Sequence, residues 1–144
     1  MQSLHKKRLK TDEAYRKHME DLYEQFEDLM FNFLELASEV KRRKGGIVFE
    51  WLTNNKLWKE VSVEAMIRVF GLTKVNFNGC QFGLMTRKGK AICKPWTFAT
   101  NIPCVVEMFS PLKCERDHEH GVCTGDELKR TESYTPEMLS LIHI

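Results

Sequence analysis

From Tyr15 to Val40 an apolar residue recurs after four, then three, then four positions without a break: Tyr15, Met19, Leu22, Phe26, Leu29, Phe33, Leu36 and Val40. Only an α-helix returns side chains to one face at that spacing. The first part of the chain, residues 1–44, is therefore expected to be one long amphipathic helix. Tyr23, Met30, Phe31, Leu34 and Ala37 widen its apolar stripe. A broad face rich in aromatics suits a helix packed on a sheet, because coiled-coil seams prefer aliphatic residues. Oligomerisation of this helix through a coil stays as the alternative. The run "KRRKGG" closes it, with cations in the last turn and glycine at the expected C′ position.

Beyond Gly45–Gly46, where a domain boundary is expected, the period changes. "IVFEWL" (47–52) is short, β-branched and aromatic, and reads as a buried strand. "SVEAMIRVFG" (62–71) reads as a helix with Ser62 as N-cap and Gly71 as stop. "KVNFNGC" (74–80) reads as a second strand, and "MTRKGKAICKPWTFAT" (85–100) as a strand pair turning at "RKGK". Short helices are expected at 101–110, with Pro103 in the first turn, and from 134, with Thr135 as cap and Pro136 at N1. Strands alternating with helices predict an α/β fold: the long helix packed on a small, mostly parallel sheet with helical crossovers.

Composition excludes several classes. The chain has 144 residues, 42% hydrophobic and 29% charged, which suits a folded domain or part of a larger one rather than a disordered chain. No apolar run approaches ~18 residues, so no membrane partner is expected, and the basic start lacks the apolar core of a secretory signal. Five cysteines at irregular spacing fit reduced thiols and an intracellular location, cytoplasmic or nuclear, better than a disulfide framework. Net charge is only +2, but basic runs stand at 5–10, 41–44 and 87–94. Arg87, Lys88, Lys90 and Lys94 are the candidate contacts to the phosphates of DNA or RNA.

The densest chemistry is "CERDHEHGVC", residues 114–123. Cys114, His118, His120 and Cys123 are four donors of the kind zinc takes in a tetrahedron. They are either a structural zinc site or a polar surface loop with one buried cysteine. Glu115, Asp117 and Glu119 either help to hold a cation or solvate the loop. Cys104 and Cys80 are expected in the core, and Trp51, Trp58 and Trp96 in packing. Glu50 lies inside an apolar strand, where an unpaired charge is costly. It must pair, shift its pKa, reach a ligand-binding strand end, or face solvent.

Several blocks together, "GGIVFEW…LWK", "VNFNGCQFGL…GK…KPWTFATN", "C…HEHGVCTG" and "TESYTPEM…IH", resemble a domain of retrotransposon polyproteins best represented in dinoflagellate and other protist genomes. The resemblance spans roughly residues 15–143. That domain is in turn similar to the later half of phage-type cytosine-5 DNA methyltransferases. The resemblance implies a partial, Rossmann-like methyltransferase region over 45–144. In it Glu50 stands where the family binds the target cytosine. Cys80, Phe82 and Gly83 form the turn that follows, and Lys94, Pro95 and Asn101 the next segment. Trp51-Leu52 replaces the family's Asn-Pro or Asn-Val. No Pro-Cys nucleophile precedes the acidic strand, since Pro103-Cys104 falls after it, and the glycine-rich turn for the methyl donor is missing. Glu50 is thus a vestigial base-binding carboxylate at most, S-adenosylmethionine is not expected to bind, and catalysis by the chain alone is not expected. The helical pattern still running at Ile144 fits a fragment of a longer polyprotein. Leu139–Ile144 match one reading frame of a common transposon-end sequencing adapter and also the Ile-His of the resembling domain.

Three readings follow. The chain is an inactive methyltransferase-like piece of a retroelement polyprotein, a non-catalytic nucleic-acid-binding module with a structural zinc loop, or a helix-mediated interaction domain.

Overall fold

A computed structural model describes residues 8–142. The helix expected over 1–44, the basic run at 5–10 and the ending at Leu139–Ile144 lie partly outside these residues. The chain divides into two compact units, up to Lys44 and from Gly45 onward.

The first unit is helix α1 (Glu13–Arg42), 30 residues and about 45 Å long. Asp12 caps it by accepting the Tyr15 N–H at 2.9 Å. At the other end the glycine expected to take the left-handed position does not take it. Lys44 does, with φ 61°, because Arg42 and Arg43 are both drawn back onto Glu39 at 2.6 Å. The turn thus closes one residue before the Gly-Gly pair. Leu22, Leu29 and Leu36 are exposed along the helix.

The second unit is built on strands β1 (Val48–Leu52), β2 (Thr73–Asn78) and β3 (Pro95–Thr100), in the order β1-β3-β2. Both pairings are antiparallel, so the mostly parallel, Rossmann-like sheet is corrected to a small antiparallel one. The connection from β1 to β2 carries a 3-10 turn (Lys56–Lys59) and helix α2 (Val61–Phe70). It is the crossover that alternation foretold, and β1 and β2 do run in the same direction. They are held apart by β3, which inserts between them as a split β-α-β unit. Burial explains the order. Trp96 to Thr100 are all buried, as a central strand requires, whereas Val48 and Leu52 at the ends of β1 are exposed. The segment read as a buried strand is therefore an edge.

One face of the sheet carries Val75, Phe77, Trp96 and Phe98, which share a core with Phe82, Ile92, Phe109 and Met138. Phe77 lies at its centre, 4.6 Å from the Phe98 ring, 4.8 Å from Phe109 and 5.5 Å from Phe82. On the other face Phe49 and Trp51 meet Trp58 edge-on at 5.7 and 5.3 Å. There Thr97 bridges Asn76 and Thr53 at 2.7 and 2.8 Å. Trp58 and Trp96 are buried and Trp51 half-buried, which agrees with packing roles.

The shorter helices show where local signals hold. Gly71 stops α2 in the left-handed region, φ 64°. Ser62 does not cap it, since Glu60 occupies the cap position and the buried Ser62 hydroxyl has no partner. Helix α3 (Pro103–Phe109) starts at its proline and buries Phe109. Cys104, expected inside, is exposed, because Val105, Val106 and Met108 take the inward side of so short a helix. Helix α4 (Asp126–Arg130) has no counterpart among the expectations. Helix α5 (Pro136–Ile142) begins as read, with the Met138 N–H donating to Thr135 Oγ1 at 3.2 Å. Among the described residues no helix is long and apolar enough to cross a membrane.

Candidate metal centre

Three backbone tethers gather the ligands. At the end of β2, the Asn78 N–H donates to the Leu112 carbonyl at 3.0 Å, and the Asn78 side chain accepts the Cys114 N–H at 2.9 Å. One residue on, the Gly79 N–H donates to the Lys94 carbonyl at 2.9 Å. Cys80, in the 3-10 turn Gly79–Phe82 that follows, is thereby brought beside both Cys93 and Cys114. Between Cys80 and Cys93 the chain makes a hairpin tip, closed by Thr86 N–H to Lys90 carbonyl at 2.8 Å and by the Met85–Ala91 bridge. The strand pair expected at 85–100 is only this single bridge, since 95–100 belongs to the main sheet. The third tether runs from the Gly121 N–H to the Ala91 carbonyl at 2.8 Å and seats His120 along the hairpin. Gly121 is required there, because a Cβ would stand 2.5 Å from Thr86 Cγ2 and 3.1 Å from Lys90 Cβ.

The outcome is a group of four half-buried side chains, Cys80, Cys93, Cys114 and His120, whose donor atoms all lie within 4.8 Å of one another. Such a group is able to hold a metal ion. Cys114 Sγ is 3.3 Å from His120 Nε2 and also accepts the Arg116 N–H at 3.3 Å. Arg116 reaches that position through a left-handed backbone, φ 62°. Burial, then the neighbouring Cys114 and Cys93 thiols, pushes the Cys80 thiol up to about 12. Burial, then Cys114, also raises Cys93, with the Cys80 hydrogen bond and then Arg116 pulling the other way. Cys80, whose ionisation both neighbouring thiols oppose, sits in an environment a cation relieves.

Two of the four ligands expected from the loop, Cys114 and His120, are in this group. His118 stands just outside it, its Nε2 3.9 Å from Cys114 Sγ. Cys123 turns away toward the core and lies 3.6 Å from Thr131 Oγ1. Cys80, expected in the core, is instead half-buried beside Cys93 in this group. The signal for them is local: one thiol sits in a glycine-bounded turn, "NGCQFG", and the other where the "RKGK" hairpin returns.

The other candidates fall elsewhere. Glu50 sits on β1 and accepts the Tyr134 hydroxyl at 2.8 Å, so it is paired. Lys94 donates to the Thr131 carbonyl and lies over the Trp96 ring, which makes it a tie within the fold. Lys90 pairs with Glu119 at 3.3 Å. Arg87 and Lys88 stand exposed at the hairpin tip and make no ion pair among the described residues. The residues matched to the methyltransferase segment are structural here. Phe82 is in the core, Gly83 caps its turn at φ 69°, and Asn101 accepts the Ile47 N–H at 2.7 Å.

Burial first, and then the Glu50 hydrogen bond, raises the Tyr134 phenol above its ordinary value. A phenol whose pKa is higher folded than unfolded contributes stability below about pH 10 that is lost as pH rises toward the folded value. Tyr134→Phe is expected to cost about 0.5–1.5 kcal/mol at pH 7 and to flatten the alkaline fall in stability. Urea midpoints measured at pH 7 and pH 10.5 check this, and an equal fall in both proteins would contradict it.

No protein-family model, no curated protein and no solved structure matches the chain.

Proposed function

We propose that residues 45–144 form a non-catalytic, zinc-organised module that holds nucleic acid through its phosphate backbone, and that the module is a segment of a retroelement polyprotein. The observation that carries the zinc assignment is the convergence of Cys80, Cys93, Cys114 and His120. Three sulfurs and one imidazole nitrogen are a donor set of structural zinc, with metal distances of about 2.3 Å and 2.0–2.1 Å. In a regular tetrahedron those lengths set S···N edges of about 3.6 Å, and the Cys114–His120 separation of 3.3 Å is close to that. Four protein donors leave no position for a water or substrate, so the role is structural. The methyltransferase resemblance supports no catalytic role, because the nucleophile and donor turn are missing from the sequence.

Nucleic acid is the partner that the hairpin favours. Its tip projects Arg87 and Lys88 between two ligand positions, Cys80 and Cys93, so the metal would anchor the element that meets the phosphates. Purified protein is expected to contain one zinc per chain, and Cys114→Ser to contain far less. Affinity for unrelated DNA and RNA oligonucleotides, followed by fluorescence anisotropy, is expected to fall roughly 10- to 40-fold between 50 and 200 mM salt, the loss for two to three phosphates. Arg87→Glu with Lys88→Glu is expected to remove most of that dependence. A zinc-free native protein would refute the metal assignment, and binding indifferent to salt and to both substitutions would refute the nucleic-acid one.

A further inference from the structure

The centre has more donors than a tetrahedron can use. Besides the four convergent side chains, His118 places Nε2 3.9 Å from Cys114 Sγ, and its ring centroid is 4.5 Å from that of His120. The separations of 3.3 Å for His120 and 3.9 Å for His118 lie on either side of the tetrahedral S···N edge of about 3.6 Å. His118 is also oriented as a ligand is. Its Nδ1 is 2.8 Å from Asp117 Oδ1. A carboxylate only accepts, so Nδ1 is the donor in this pair, and in the neutral ring Nε2 is the free acceptor on the side of Cys114 Sγ. A carboxylate behind the distal imidazole nitrogen is the usual support of a metal-bound histidine.

Among the three thiols, Cys93 is the one that lines two clefts. Cys114 is fixed by the Arg116 N–H and lies next to both imidazoles. Cys80 is held in a turn whose neighbours Gly79 and Phe82 are both buried. Cys93 lines two separate surface clefts, one shared with Cys114, Lys113 and Arg116, the other, which neither Cys80 nor Cys114 lines, with His120 and Leu128.

We propose that His118 is a reserve ligand: Cys80, Cys114 and His120 hold the metal permanently, while Cys93 and His118 compete for the fourth position. In the exchange the metal–Sγ bond to Cys93 breaks and its thiolate takes a proton from solvent. A bond to His118 Nε2 forms, with Nδ1–H staying on Asp117. The site passes from three thiolates and one imidazole to two of each, and one thiol becomes available for modification without loss of the metal.

This inference rests on the metal assignment above, and cobalt(II) separates the two. The full chain is loaded with cobalt, whose tetrahedral d–d bands report geometry and whose thiolate charge-transfer band counts sulfurs. Wild-type protein that takes up no cobalt overturns the metal assignment itself. If the wild type binds, Cys93→Ser is expected to keep one tetrahedral cobalt with charge-transfer intensity lowered by about a third, from three thiolates to two. Adding Asp117→Asn to Cys93→Ser is expected to weaken the metal roughly 10- to 100-fold, and adding His118→Ala to weaken it further. Loss of cobalt from Cys93→Ser alone overturns the proposal, as does its undiminished retention in Cys93→Ser with His118→Ala. An independent measurement leaves Cys93 in place. Iodoacetamide, from which the Cys93 sulfur displaces iodide, should alkylate that residue in the wild type with the metal retained, and in His118→Ala only with the metal released. Equal release in both proteins counts against the reserve role.

Discussion

If Cys80, Cys93, Cys114 and His120 hold zinc as proposed, chelating it is expected to unfold residues 45–144 as one unit. The four ligands come from the turn after β2, the segment before β3, and the loop that follows α3. Beyond its hydrogen bonds to Asn78 and Ala91 and the exposed Lys90–Glu119 pair, that loop has little else to hold it. Within residues 114–123 Val122 is 76% exposed, and Cys123 is the one side chain packed on the core. Without a cation the loop is left with its hydrogen bonds to Asn78 and Ala91. Structural zinc in small domains contributes apparent binding energies of about 10–16 kcal/mol, against a net stability of roughly 5–15 kcal/mol for a whole domain. Part of that energy is spent in ordering the loop. A net loss of ~5 kcal/mol would already lower the melting temperature by 20 °C or more in a unit of this size. Trp51, Trp58 and Trp96 all lie in this unit, so tryptophan fluorescence during titration with a chelator follows it directly. Metal shown by mass spectrometry to be absent, with fluorescence and melting unchanged, would contradict the expectation.

Phe77→Ala is expected to cost about 3–5 kcal/mol, the range for emptying a fully buried aromatic site. Phe77 is 1% exposed and touches rings from β3, from α3 and from the turn after β2, so its loss opens a cavity that no single neighbour can fill. The corresponding fall in melting temperature is roughly 15–30 °C. A second effect follows from position. Phe77 immediately precedes Asn78, whose side chain holds the Cys114 N–H. Metal affinity should therefore weaken with stability, which a competing chelator can measure. Phe77→Leu fills most of the volume and is expected to recover most of both. A melting shift below about 5 °C for the alanine variant would show that the ring cluster is not the centre of the core.

The parts of the fold legible in the sequence are those set by neighbours along the chain. The long helix follows from its four-three stripe, the stop of α2 from Gly71, and the start of α5 from Thr135-Pro136. Pairing was not legible, because strand-helix alternation records how β1 and β2 are connected, and nothing local says that β3 will enter between them. The same limit governs the site. Cys114 and His120 were visible because they are close in sequence. Cys80 and Cys93 are brought to them by the tethers of Asn78, Gly79 and Ala91, which exist only once the sheet has formed. His118 and Cys123 share the loop, but His118 stops 3.9 Å from Cys114 Sγ, just outside the group, and Cys123 has an apolar alternative in the core.

The split β-α-β order also sets a schedule for synthesis. The central strand is the last of the three to be made, and β1 and β2 cannot pair with each other in its absence. A nascent chain that has delivered β1, α2 and β2 has no sheet to close, and its apolar face at Val75 and Phe77 stays open until residues 95–100 emerge. The ligand set is completed later still, at His120. The ribosome must therefore release more than three quarters of this chain before the second unit can fold. Pauses placed before that point would lengthen the exposure of an unpaired strand, the state most prone to aggregate.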